Sequence, residues 1–259
     1  LLALSFFFTT FVVKIFNMRS LIIFIVLVIS VVSCQMQLGS IEGNGVIETR
    51  EKPVGRFSKL EISGAFKVKI IPAEEHKILI ETDENIHEYI RVEEDDNRVR
   101  IKLRNNVSIK PTKGVKITIY MQDVNKIELA GSVDLKSEGL LEHPEKIDLA
   151  MAGSADADIA VKTPEMKISI GGSGKVIAEG ETRELKVSIA GSGDLKAENL
   201  LSEEVDISIA GSGSARVYAS IGLKVSVAGS GNVYYAGNPG NVKKSIAGSG
   251  NVKPISENQ

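Results

Sequence analysis

The sequence predicts an all-β protein, a parallel β-helix (β-solenoid) with about 19 residues per coil, and three observations predict it. A Gly-Ser unit recurs at nearly constant spacing, apolar residues alternate on both sides of every copy, and the segments between copies are too short for a crossover helix.

The recurring tripeptide is Ala/Gly-Gly-Ser, with its central glycine at Gly131, Gly153, Gly172, Gly191, Gly211, Gly229 and Gly248. Successive spacings are 22, 19, 19, 20, 18 and 19 residues. The fullest copies read KVSIAGSGDLKA, DISIAGSGSARV and KVSVAGSGNVYY. In the fourth copy Val187 and Ile189 precede the glycine, and Leu195 and Ala197 follow it. Period two means a half-buried strand on either side of a corner, where glycine permits backbone angles closed to other residues. Only eight residues separate Ala178 from Val187, so each unit is strand, corner, strand and a short third side. A β-sandwich would instead need hairpin turns and would lack a single period. Right-handed crossover is the default for such connections.

Stacked coils lie about 4.8 Å apart, so equivalent residues form columns. Leu129, Met151, Ile170, Ile189, Ile209, Val227 and Ile246 form an expected core column. The serines from Ser132 to Ser249 that follow each corner glycine form an expected hydroxyl ladder. A second serine column runs through Ser169, Ser188, Ser208, Ser226 and Ser245. Gly131-Ser132-Val133 and Gly153-Ser154-Ala155 lack the second glycine, which predicts differently shaped corners there.

Residues 46–125 read differently. Period-two stretches occur at Lys67–Ile71, Lys77–Glu81, Val99–Leu103 and Val115–Tyr120, with turn signals at Glu94–Asn97 and Asn105-Asn106. EISGAFKVKI echoes the repeat around Ser63-Gly64, so the solenoid is expected to begin there with longer, embellished coils and longer strands. With no linker in between, 46–253 reads as one domain, followed by a polar tail at 254–259.

Composition narrows the chemistry. The formal net charge of the 259 residues is -2 with signs interspersed, which offers no basic field for nucleic acid. Six of the eight Phe lie before Cys34 and there is no Trp, so the core must be built in thin aliphatic layers. One cysteine and three scattered histidines (His76, His87 and His143) supply neither a disulfide framework nor a zinc, haem or thiol site, and no cofactor is expected.

Met18-Arg19-Ser20 is followed by an apolar run of 12 residues, Leu21 to Val32, broken only by Ser30. A membrane-spanning helix needs about 20 residues, so this reads as an export signal. Val31-Val32-Ser33-Cys34 resembles the lipobox of bacterial lipoproteins, a resemblance that implies a diacylglyceryl anchor on Cys34. An ordinary signal peptide and an uncleaved anchor helix are the alternatives. Residues 1–33 are then the signal region, with Met18 a candidate start, and 34–45 the lipidated cysteine and a flexible, glycine-bearing tether.

The serial I-x-I-A-G-S-G-[DN]-[LV] units resemble those of the head GIN domain family (DUF2807), also called auto-transporter adhesin head domains. Gly43-Asn44-Gly45, Arg56-Phe57-Ser58-Lys59-Leu60 and Gly64-Ala65-Phe66-Lys67-Val68 resemble the family's opening strands. The likeness spans about residues 43 to 253. It implies a β-helical fold and an exported location of the kind common in Bacteroidetes envelopes, and it carries no catalytic residues.

The position after Gly-Ser-x holds Asp134, Asp156, Lys175, Asp194, Ser214, Asn232 and Asn251. Stacked carboxylates suit calcium, but Lys175 interrupts them, and a solvated turn column is the plainer reading. Asp134 and Asp156 could stand at a glycosidase separation, yet no aromatic platform accompanies them. The acid run Glu93–Asp96 reads as a solvated turn. Tyr234 and Tyr235 are the best aromatics for a surface contact, one facing in and the other out. The expectation is a non-enzymatic envelope module, on the outer membrane or cell surface, that binds an extracellular or envelope polymer or protein. A structural component that self-associates end to end is the alternative, and a polysaccharide-active enzyme ranks last.

Overall fold

The structure, a computed structural model, describes residues 40–255. The signal region, Cys34, the start of the tether and the last four residues of the tail lie outside them.

In chain order the first strands are β1 (Ser40–Glu42), β2 (Ile47–Pro53), β3 (Lys59–Gly64), β4 (Lys67–Pro72) and β5 (Lys77–Asp83). A 3-10 turn at Glu84–Tyr89 leads to β6 (Ile90–Asp95), β7 (Arg98–Leu103), β8 (Ser108–Lys110) and β9 (Lys116–Met121). The repeats supply β10 (Lys126–Gly131), β11 (Asp134–Glu142), β12 (Lys146–Gly153), β13 (Asp156–Gly172), β14 (Lys175–Gly191) and β15 (Asp194–Gly211). They end with β16 (Ser214–Tyr218), β17 (Gly222–Gly229), β18 (Asn232–Ala236), β19 (Asn241–Gly248) and β20 (Asn251–Pro254).

Every pairing among β10–β20 is parallel, and the corner glycines share one register line: Gly131 on Gly153, then Gly172, Gly191, Gly211, Gly229 and Gly248. Gly64 joins that line beneath Gly131, so the echo at Ser63-Gly64 is a true coil. The fold is the predicted β-solenoid.

The corner explains the repeat. At Gly191 φ is +120°, and a Cβ there would lie 2.5 Å from the carbonyl oxygen of Gly172 in the coil below. That same oxygen accepts the backbone N–H of Ser192 at 2.9 Å. The serine ladder therefore runs through the backbone rather than through hydroxyls, with Ser132, Ser154, Ser173, Ser212, Ser230 and Ser249 donating in the same way. The second glycine faces the core instead, where a Cβ on Gly193 would meet the Ile170 Cγ2 at 2.5 Å. Val133 and Ala155 fill this inward position in the early coils and are buried. Their corners keep the same backbone turn, with positive φ at Gly131 and Gly153, so the missing second glycine changes the filling of the core and not the shape of the corner.

The expected core column is buried from Leu129 to Val227, while Ile246 in the last described coil is 40% exposed. Ile, Val, Leu and Ala make up nearly all of this core, and its buried aromatics, Phe57 and Phe66, belong to the amino-terminal end.

That end departs from the sequence reading. The stretch between β4 and β10 is not a long coil with long strands. Its strands are short, whereas β13, β14 and β15 run 17, 17 and 18 residues, each from just after one glycine corner to the next. After β4 the chain turns back and builds a closing layer. There β7 lies parallel to β3 and β9 to β4, and β5 pairs antiparallel with β2 and β9, as β6 does with β7. The chain then returns to lay β10 on the opposite side of β3. Hairpin chemistry drives the reversal: Asp96 and Asn97 take positive φ between β6 and β7.

Asp83 ties this layer together. It is buried, and its carboxylate accepts the N–H of Gly45 (2.8 Å), the N–H of Thr112 (2.8 Å) and the Thr112 hydroxyl (2.7 Å). The Thr112 hydroxyl, then the two N–H groups, hold its carboxyl below the ordinary aspartate value although burial pushes the other way. Residues 40–45, expected in the tether, thus belong to the fold: β1 pairs with β8, and Gly43 donates to the Lys110 carbonyl.

Candidate functional site

Among the described residues a shallow groove of about 930 Å³ runs along the third side of the coils. Sequence chemistry sets its floor. About ten residues after four of the corner glycines, Gly153, Gly172, Gly191 and Gly211, stands a small hydroxyl residue, and Thr163, Thr182 and Ser202 stack in register. Each is buried, and each hydroxyl donates to a nearby carbonyl: Thr163 to Glu165, Thr182 to Glu184 and Ser202 to Leu200. Ser220 continues the column by donating to the Ser202 carbonyl.

The rim mixes charge and apolar surface. Glu142, Lys162 and Glu181 stack in one column, and the Lys162 ammonium stands 3.7 Å from Glu181. Leu201 comes next in that column and is 51% exposed. Pro144, Pro164, Arg183 and Tyr218 complete the lining. His143 braces one end, its Nδ1 accepting the N–H groups of Glu145 and Lys146. An extended partner lying here would meet alternating charge, an exposed leucine and one tyrosine at the repeat of the coils.

The residues singled out from sequence lie on a different wall. Asp134, Asp156, Lys175, Asp194, Ser214, Asn232 and Asn251 do form one register line on the strands that follow the corner. Their oxygens serve the stack. Asp156 accepts the N–H of Lys175 at 2.9 Å, Asp194 accepts the Ser214 hydroxyl, and the Asn232 oxygen accepts from Asn251. Among the described residues no three His, Cys, Asp or Glu side chains gather as a metal site would need. Tyr234 faces out and Tyr235 packs against the core, as alternation required. The acid run Glu93–Asp96 is the tip of the β6–β7 hairpin. There Glu93 pairs with Lys102 at 3.0 Å, which holds its carboxyl below the usual value, and Glu94 accepts the N–H of Gly55.

Sequence reasoning missed the groove because it followed the glycines. The recurring Thr/Ser about ten residues later, and Pro144 and Pro164 in the same lining, were the available signals.

A family model described as "Putative auto-transporter adhesin, head GIN domain" (DUF2807) matches residues 56–239. Among solved structures, the chain is similar to a "putative adhesin" from Bacteroides fragilis, with 24% identity and a TM-score of 0.79, covering 83% of this chain and 100% of that one. A "putative lipid binding protein" from Parabacteroides distasonis is 23% identical with a TM-score of 0.71, over 84% of this chain and 100% of its own. A "putative adhesin" from the same organism is 22% identical with a TM-score of 0.66, over 84% and 100%. At these identities the likeness is one of fold. No curated protein matches the chain.

Proposed function

The chain belongs to the head GIN domain family, and from that premise we propose that it is an exported, lipid-anchored envelope module that binds an extracellular polymer or protein along the groove and catalyses no reaction. The groove carries this reading. It crosses several coils, so it suits an extended, repetitive partner better than a small molecule, and its rim offers both charge and exposed apolar surface. The apolar run from Leu21 to Val32 and the Cys34 that follows support export and acylation.

Two experiments test this reading. A glycan and protein array probed with the chain from residue 35 onward is expected to give a ligand whose affinity falls about tenfold or more in Arg183→Glu and Tyr218→Ala. The same ligand should bind Asp134→Asn and Asp156→Asn unchanged. Loss of binding in the aspartate variants with none in the groove variants would refute the placement. Separately, Cys34→Ser should move the full chain from the membrane fraction to the soluble fraction and remove the acyl mass. A variant that stays with the membrane would refute the anchor.

A further inference from the structure

The two ends of the solenoid are finished differently. At the amino end the antiparallel strands β2, β5 and β6 cover the first coils, and Ile86 of the 3-10 turn is fully buried there. The outermost strands at that end are blunted, β2 by Glu48, Arg50, Glu51, Lys52 and a terminal Pro53, and β6 by Arg91, Glu93, Glu94 and Asp95. At the other end β19 pairs only with β17 and β20 only with β18, so among the described residues the outer edge of that coil has no partner. Ile246, a core residue by register, is left 40% exposed.

One residue in that coil breaks the pattern. The inward column Leu60, Ile127, Leu149, Ile168, Val187, Ile207 and Val225 is apolar and buried throughout, and the next member in register is Lys244. Its ammonium reaches over the end of the core, donating to the Val252 carbonyl at 3.1 Å and lying 5.6 Å from the centre of the Tyr235 ring. A charge at a core position is stable only where no further layer covers it.

We propose that Lys244 keeps the open coil end from pairing with a second copy of this chain, and that without its charge two chains join tail to tail as a closed dimer. Closure follows from the ends. The amino end offers no matching surface, so a head-to-tail filament has nothing to grow on, and a tail-to-tail contact is isologous and stops at two. In such a contact β19 lies antiparallel to its own copy. Lys244 is near the middle of Asn241–Gly248, so the two ammonium groups come together at the centre of the interface. The same residue thereby excludes the end-to-end assembly that an open edge otherwise invites.

The test is sedimentation velocity over a wide concentration range, on the chain from residue 35 onward, which holds every described strand. The wild type and Lys244→Arg are expected to remain monomeric. Lys244→Val, whose side chain recurs in this column at Val187 and Val225, is expected to dimerise on the order of a hundredfold more tightly and to form nothing larger. Adding Ile246→Lys to Lys244→Val returns a charge to the same end and should restore the monomer. A wild type that dimerises, a Lys244→Val chain that stays monomeric with an unchanged circular dichroism spectrum, or growth beyond the dimer would each overturn the proposal.

Discussion

Gly191→Ala is expected to destabilise the solenoid by about 4 kcal/mol, the sum of a backbone conformation closed to side chains and an overlap that only main-chain movement can relieve. The φ of +120° and the carbonyl oxygen 2.5 Å from the new Cβ act together, and that oxygen is already bonded to Ser192. Gly45→Ala is the control: φ is +80° but nothing lies within 4 Å, so the loss should be about 1 kcal/mol. Because each coil rests only on its neighbours, the damage should be directional. Hydrogen exchange should accelerate from β15 to β20, on the open side of the lesion, and stay slow in β3–β9, which the antiparallel strands close. Uniform loss of protection would mean that the coils unfold as one body and would refute the nearest-neighbour account.

Asp83→Asn should be the most damaging single polar change at the amino end, lowering the melting temperature by several degrees at neutral pH. Three donors converge on the carboxylate, two on Oδ1 and the Thr112 N–H on Oδ2. An amide has one oxygen, so whichever way it turns its NH2 faces a donor. The pH dependence follows from the lowered carboxyl value. A group held below its unfolded value stabilises fully above that value, about pH 4, and the contribution disappears as pH falls through the lower, folded value. The gap in melting temperature between wild type and Asp83→Asn should therefore be full at neutral pH and narrow below about pH 4. A gap of constant size down to about pH 3 would show that the carboxylate's charge is not what matters.

How much of this was legible depends on whether the cause is local. The corner glycines and the alternation around them are written within about ten residues, and the register line from Gly131 to Gly248 follows directly. Gly64 was legible for the same reason. Asp83 was not, because its partners lie 38 and 29 residues away and share no pattern with it. The return of β10 to the far side of β3 was hidden as well, since periodicity reports that a strand is half-buried and not which strand it meets. The groove residues carry a readable signal, a hydroxyl 9 to 11 residues after the corner glycine, but its meaning comes only from the groove it lines. Lys244 stands in plain view when KKSIAGSG is set under KVSVAGSG. Its significance waits on knowing that no described strand lies above it.

The closing layer also bears on how the molecule assembles. All its strands belong to residues that precede the repeats, so a growing chain completes β2–β9 before the first full repeat exists. The first repeat coil reaches back 67 residues, from Lys126 in β10 to Lys59 in β3, but each coil after it docks on a surface already in place and its new contacts reach back only one period, about 19 residues. Such a chain has a nucleus at one end and a short search at every step after the first repeat coil, a route by which most of a parallel sheet escapes the slow long-range pairing that this architecture usually entails.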